Sequence, residues 1–147
     1  MRLIVINEDE GPQIIYAFIK FGTEESGVIE HVHAGGIMSE IDLENGCYSN
    51  PKSFKNGILI DCPVHPDTKV KIEGEIPYWD YIKEKTIEIG NYLPQLRYMG
   101  FDIVITNEGF KILEVNSHPG IGLIQAFKPL LMENPTKEFY QRLLNLH

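Results

Sequence analysis

Cysteine is scarce in this chain, with only Cys47 and Cys62 present. Two cysteines so far apart provide neither a CxxC metal site nor a disulfide framework, and both read as free thiols. Basic residues are also in short supply. Thirteen Lys and Arg stand against 21 Asp and Glu, for a formal net charge of −8. Nucleic acid and anionic membranes need a basic surface, so neither is expected as the main partner. A nucleotide is not excluded, because a local basic group or a metal can hold phosphates on an acidic protein. No apolar run approaches membrane-spanning length, so no membrane insertion is expected. The first run, residues 3–6, is too short for a signal-peptide core and is followed by acids. A cytoplasmic location is the expectation. Internal repeats and low-complexity segments are absent.

What is present suits one domain with a core of useful size. Of 147 residues, 43% are hydrophobic and 23% charged, close to globular averages. Residues 3–6 and 13–21 read as strands, with Gly11-Pro12 as the turn between them. A third strand is expected over 28–32 and a fourth over 37–43, ending at the Asn45-Gly46 turn. Residues 44–76 are irregular, rich in Asn-Pro, Asn-Gly and Pro, with one strand at 57–61. Pro77 reads as a first-turn helix residue, and helical apolar spacing follows from Trp79 to Ile89. Pro94 bends or restarts that helix. Residues 101–116 form two strands around a turn. A last amphipathic helix covers 136–146, with Phe139, Tyr140, Leu143 and Leu144 facing the core. The fold class is α+β, a largely antiparallel sheet packed with helices.

The chemistry concentrates in the hairpin. Asn107-Glu108-Gly109 suits a three-residue loop with Gly109 at the left-handed position. If Thr106 faces Phe110, counting sets Asp102 opposite Glu114. Asn116 then projects from the same face. Opposed side chains have Cβ atoms roughly 4.5–5.5 Å apart, so two like charges there repel. Ile103, Ile105, Leu113 and Val115 line one face, and Val104 and Ile112 lie beside the carboxylates. Apolar residues on both faces predict a buried strand pair, where unpaired carboxylates are costly. A hard divalent cation resolves the conflict, and this all-oxygen set suits Mg²⁺. The competing expectation is a solvent-facing hairpin edge.

These residues resemble the last motif of the ATP-grasp superfamily: an Asp on one strand, then Glu-x-Asn and Pro-Gly on the next. Asp102, Glu114, Asn116, Pro119 and Gly120 match it. The nearer resemblance is to the sugar-transfer-associated ATP-grasp family. Its His-x-Gly-Gly segment and Asp-Leu-x-x-Gly turn are similar to the stretch from His33 to Gly46. Its His-Pro-Asp and Pro-x-Trp landmarks are similar to His65-Pro66-Asp67 and Pro77-Tyr78-Trp79. Gly100-Phe101-Asp102 stands where it usually has Gly-Trp-Asp, and His31 stands where it usually has Asn.

The resemblance implies Mg²⁺ and ATP, with Asp102, Glu114 and Asn116 on the metal and Lys20, His33, Gly35 and Gly36 toward the phosphates. It implies a carboxylate substrate activated as an acyl phosphate and attacked by a nucleophile, in the metabolism of cell-surface polysaccharides. It also implies that residues 1–147 are the C-terminal subdomain, with the preceding nucleotide-binding subdomain absent. Such a chain is expected to be inactive alone and to self-associate or dock onto the missing part. A non-catalytic remnant or partner-binding module is the alternative. A zinc site from His31, His33, His65 and Asp67 is a third possibility. Arg2 is a weaker candidate of the same kind as Lys20, both also fit ordinary solvated cations, and Tyr78 and Trp79 fit packing residues.

Overall fold

The computed structural model describes residues 1–26, 35–55, 57–132 and 135–144. The strand expected over 28–32, with His31 and His33, lies outside them. The elements run β1 (Arg2–Glu8), β2 (Gly11–Phe21), β3 (Ile37–Ile41), β4 (Cys47–Lys55), β5 (Ile58–Asp61), β6 (Gly74–Glu75), α1 (Trp79–Tyr92), β7 (Tyr98–Thr106), β8 (Gly109–Asn116), α2 (Gly122–Phe127) and α3 (Thr136–Leu143). Among the described residues the strands number eight and pair antiparallel, so the α+β expectation holds. No helix among them is long and apolar enough to cross a membrane. The chain divides into two compact units. One is Ala17–Trp79 with Met1, and the other is Arg2–Tyr16 with the chain from Asp80 onward.

In the first unit the strand order is β2-β3-β4-β5, with β6 also on β4. Ala17, Phe18, Ile37, Met38 and Ile41 are buried here. Strand β4 was not expected, because Asn50-Pro51 reads as a chain break. The structure keeps the strand and turns the break into a bulge. The β3–β4 register shifts between Met38 and Glu40, and Asn50 has φ of 55°. An extra residue accommodates a proline that cannot donate to the ladder. Turn 42–46 is closed by Asp42, whose Oδ1 accepts from Glu44 N at 2.8 Å. Trp79 covers this turn, and its indole Nε1 donates to Leu43 O at 3.2 Å.

In the second unit the order is β2-β1-β7-β8. Leu3, Ile4, Val5 and Ile6 are all at most 2% exposed, so both faces of β1 are covered. One face carries α1. Asn7 Nδ2 donates to Gly90 O at 3.0 Å, and a Cβ on Gly90 would lie 2.7 Å from Pro12 Cβ. Several expectations are corrected. Gly11-Pro12 lies inside β2, and the turn is Asp9-Glu10. Pro77 precedes α1 in a turn, and the helix ends at Tyr92, before Pro94. Leu143 and Leu144 are 51% and 57% exposed, so α3 buries only its Thr136, Phe139 and Tyr140 side.

Helix α3 meets the sheet through Tyr98, with ring centroids 5.8 Å from Phe139 and 5.7 Å from Tyr140. Burial raises both phenols above the usual tyrosine range, Tyr140 the more strongly. The unfolded chain ionises near pH 10 while the folded protein stays protonated. Stability is therefore complete below pH 10 and falls as the pH rises above it. Urea midpoints at pH 9 and pH 11 check this. The loss should shrink in the Tyr98→Phe, Tyr140→Phe double variant, and an unchanged loss would refute the assignment.

Candidate metal centre

Residues Asp102, Glu114 and Asn116 come together in the second unit. Asp102 on β7 pairs directly with Glu114 on β8, and Gly100 pairs with Asn116. The opposition expected from counting is present, but by a different route. The loop has two residues rather than three, since Thr106 pairs with Gly109 and Ile103 with Ile112. The register then shifts between Asp102 and Ile103, with Leu113 as the extra residue of a bulge. The bulge returns Glu114 to Asp102. Gly109 has φ of 140°, a positive value that favours glycine.

Beyond Asn116 the chain folds back onto β7. A Cβ on Gly100 would lie 2.6 Å from Pro119 Cβ, and both residues are buried. Gly100 and Pro119 thus pack closely where the chain leaves β8. Asn116 Nδ2 lies 3.5 Å from Asp102 Oδ2. Turning the amide by 180° presents its oxygen there instead.

The hairpin is not the buried strand pair that its apolar residues suggested. Glu114 is exposed, and Val104 and Leu113 are 39% and 69% exposed. Strand β8 pairs with β7 alone among the described strands, so its outer edge and one face reach solvent. Water already screens Glu114, and burial alone does not force a cation between the carboxylates.

A cation is nonetheless in place on Asp102. Arg2 of β1 pairs with Asp102 in the sheet register. Its Nε donates to Oδ1 at 2.7 Å and its Nη2 to Oδ2 at 2.5 Å. Arg2, Asp102 and Glu114 therefore form one row across three adjacent strands. Both carboxylates hold the guanidinium more firmly protonated than usual, with the Asp102 hydrogen bonds the main cause. Sequence reasoning left Arg2 between a weak phosphate candidate and a solvated cation. The pair joins residues 100 apart in sequence, and no local pattern signals which strand lies beside β7.

The donor set still suits Mg²⁺. With the Asn116 amide turned, two carboxylates and an amide oxygen share one face, and Asp102 is part-exposed at 27%. Among the described residues no group of three His, Cys, Asp or Glu could hold a metal. Zinc ligation by His31 and His33 falls outside those residues.

The other candidates belong to the first unit. Lys20 is half-buried near the end of β2, with Nζ 5.7 Å from the Phe18 ring centroid. Gly35 has φ of 93°, and its carbonyl accepts from Thr23 Oγ1 at 3.1 Å. The Gly36 carbonyl accepts from Ser53 Oγ at 3.1 Å. His33 is outside the described residues. His65 serves the loop: Nδ1 faces the N–H groups of Asp67 and Thr68, and Nε2 lies 2.9 Å from Gly22 O. Accepting at Nδ1 assigns the proton to Nε2. Asp67 Oδ2 accepts from Glu24 N at 2.9 Å, so His65-Pro66-Asp67 ties down the chain at 22–24.

A cavity of about 340 Å³ in the second unit lies at the opposite end of β1, lined by Glu8, Arg97, Glu138 and Arg142 among others. Arg97 and Arg142 both donate to Glu8, so this cavity is lined by a mixed-charge cluster.

The sugar-transfer associated ATP-grasp family is matched over residues 1–135. No curated protein and no solved structure matches the chain.

Proposed function

The chain belongs to the sugar-transfer associated ATP-grasp family, and from that premise we propose that it carries the Mg²⁺–ATP side of a carboxylate ligase serving cell-surface polysaccharide synthesis. The observation that carries this is the register of the hairpin, with Asp102 opposite Glu114 and Asn116 next on the same face. Asp102, Glu114 and Asn116 would hold Mg²⁺, which when bound offsets charge on the phosphate oxygens. In the proposed reaction a carboxylate oxygen takes the γ-phosphoryl group and ADP leaves. An amine then attacks the acyl phosphate and inorganic phosphate leaves.

The residues of the chain do the holding. Arg2 keeps the Asp102 carboxylate in one orientation, and Asn116 follows two residues past Glu114 on the same face. The family resemblance supports Lys20, His33, Gly35 and Gly36 as phosphate contacts. For the two glycines this falls to their N–H groups, because phosphate oxygens need donors and a carbonyl only accepts. Residues 1–147 would supply the C-terminal ATP-grasp subdomain of a cytoplasmic enzyme.

One observation favours a second reading. Both oxygens of Asp102 are engaged by Arg2, and a closed ion pair suits a non-catalytic module. Mn²⁺–ADP added to ¹⁵N-labelled protein separates the two. The ligase reading expects paramagnetic broadening centred on the amides of Asp102, Glu114 and Asn116, absent with Mg²⁺–ADP. Broadening centred elsewhere, such as at His65 and Asp67, would overturn it. An unmoved hairpin would favour the non-catalytic module.

A further inference from the structure

The Arg2–Asp102 pair creates a competition that the metal reading must meet. Arg2 occupies the orientation-setting edge of Asp102 with two donors. It is itself only 23% exposed, so the pair is partly shielded from water. The formal charge of the Arg2, Asp102 and Glu114 row is −1, whereas the two carboxylates alone carry −2. A free divalent cation gains little from a row of charge −1 and is repelled at short range by the guanidinium. A metal that arrives with phosphates meets a different field. Its phosphate oxygens are acceptors, and Arg2 has N–H groups beyond the two that bind Asp102. The same arginine that weakens the bare metal strengthens the metal–nucleotide complex.

We propose that Arg2 makes this site select the metal–nucleotide complex over the free metal. It acts as a positioning residue on Asp102 and as a phosphate donor in the complex. This rests on the reading of the hairpin as the Mg²⁺–nucleotide site. Its sign is what distinguishes it from a purely structural role. A residue that only braces β1 against β7 would, when replaced, weaken both binding events together.

The test uses the full chain with Arg2→Met and Arg2→Lys. The side-chain amide signal of Asn116 is followed by NMR during titration with Mg²⁺ alone and with Mg²⁺–ADP. Thermal melts confirm that each variant is folded. Arg2→Met is expected to bind Mg²⁺ alone about tenfold more tightly and Mg²⁺–ADP about tenfold more weakly, the scale of change seen when groups around a metal site are altered. Arg2→Lys keeps the charge but not the fork, so it should fall between wild type and Arg2→Met in both titrations. Equal changes in both affinities, or none in either, would overturn the proposal while leaving the ligase reading intact. If the wild-type hairpin responds to neither titrant, both fall. If Arg2→Met does not fold, Arg2→Lys alone decides, since unchanged affinities there would remove any role for the fork.

Discussion

Replacing Gly46 with Ala should destabilise the protein by roughly 3 kcal/mol or more, through two separable causes. The first is backbone. Gly46 has φ of 77°, and a residue with a Cβ held there loses about 1–2 kcal/mol. The second is space. A Cβ at Gly46 would lie 2.6 Å from Trp79 Cγ, closer than any carbon contact tolerates. Trp79 cannot easily move away, because it is buried and its indole is bonded to Leu43 O. Forcing an extra carbon into such a contact costs about 1–3 kcal/mol. Gly57 supplies the control. Its φ of 78° is the same, but nothing lies within 4 Å of an added Cβ. Gly57→Ala should therefore show the backbone cost alone. Urea unfolding followed by the fluorescence of the single tryptophan measures both, since that tryptophan is the contact in question. Equal losses in the two variants would remove the steric half of the explanation.

The Asp42-Leu-x-x-Gly46 turn and Pro77-x-Trp79 were visible in the sequence as separate landmarks, and the structure shows that they are one lock. This is the general pattern of what the sequence disclosed. Local chemistry was legible: the apolar run at 3–6, the Asn45-Gly46 turn, the hairpin from 101 to 116 and the amphipathic start of the last helix. Long-range pairing was not. Nothing near Arg2 announces that β1 lies beside β7, so the two-point bond to Asp102 came only with the structure.

The hairpin shows a subtler limit. Its central pairing was obtained by counting from a three-residue loop, whereas the protein uses two loop residues and then adds Leu113 as a bulge. Two departures of one residue cancel, and Asp102 faces Glu114 either way. The pattern of apolar residues misled more seriously. Val104, Leu113 and Ile112 suggested a strand buried on both faces, but β8 is paired on one side among the described strands and its Leu113 is 69% exposed. Alternation reports which residues share a face, and whether that face is covered depends on elements elsewhere in the chain. The Asn50-Pro51 pair failed for a related reason. It does break the ladder, but a bulge absorbs the break without ending β4.

Glu114→Gln should then separate stability from function more sharply than any other change at the hairpin. In the fold Glu114 stands directly across from Asp102, and like charges in that position are unfavourable by about 0.2–1 kcal/mol. It is exposed, and Arg2 is already bonded to Asp102, so the neutral amide leaves no buried charge unpaired. The variant should melt at the same temperature as wild type or slightly above it. Binding should respond in the opposite sense. A neutral amide in place of a carboxylate ligand removes half of the formal negative charge on the metal face. Affinity for Mg²⁺–ADP is expected to fall about 100-fold, at the upper end of what changes around metal sites produce. Melting temperature and Mg²⁺–ADP titration on the same preparation give both quantities. A variant that loses stability in step with affinity would mean that Glu114 serves the sheet. One that keeps both would mean that the acidic pair is not a metal site. Unchanged or raised stability with lost affinity is the behaviour of a residue kept for its ligand at some cost to the fold.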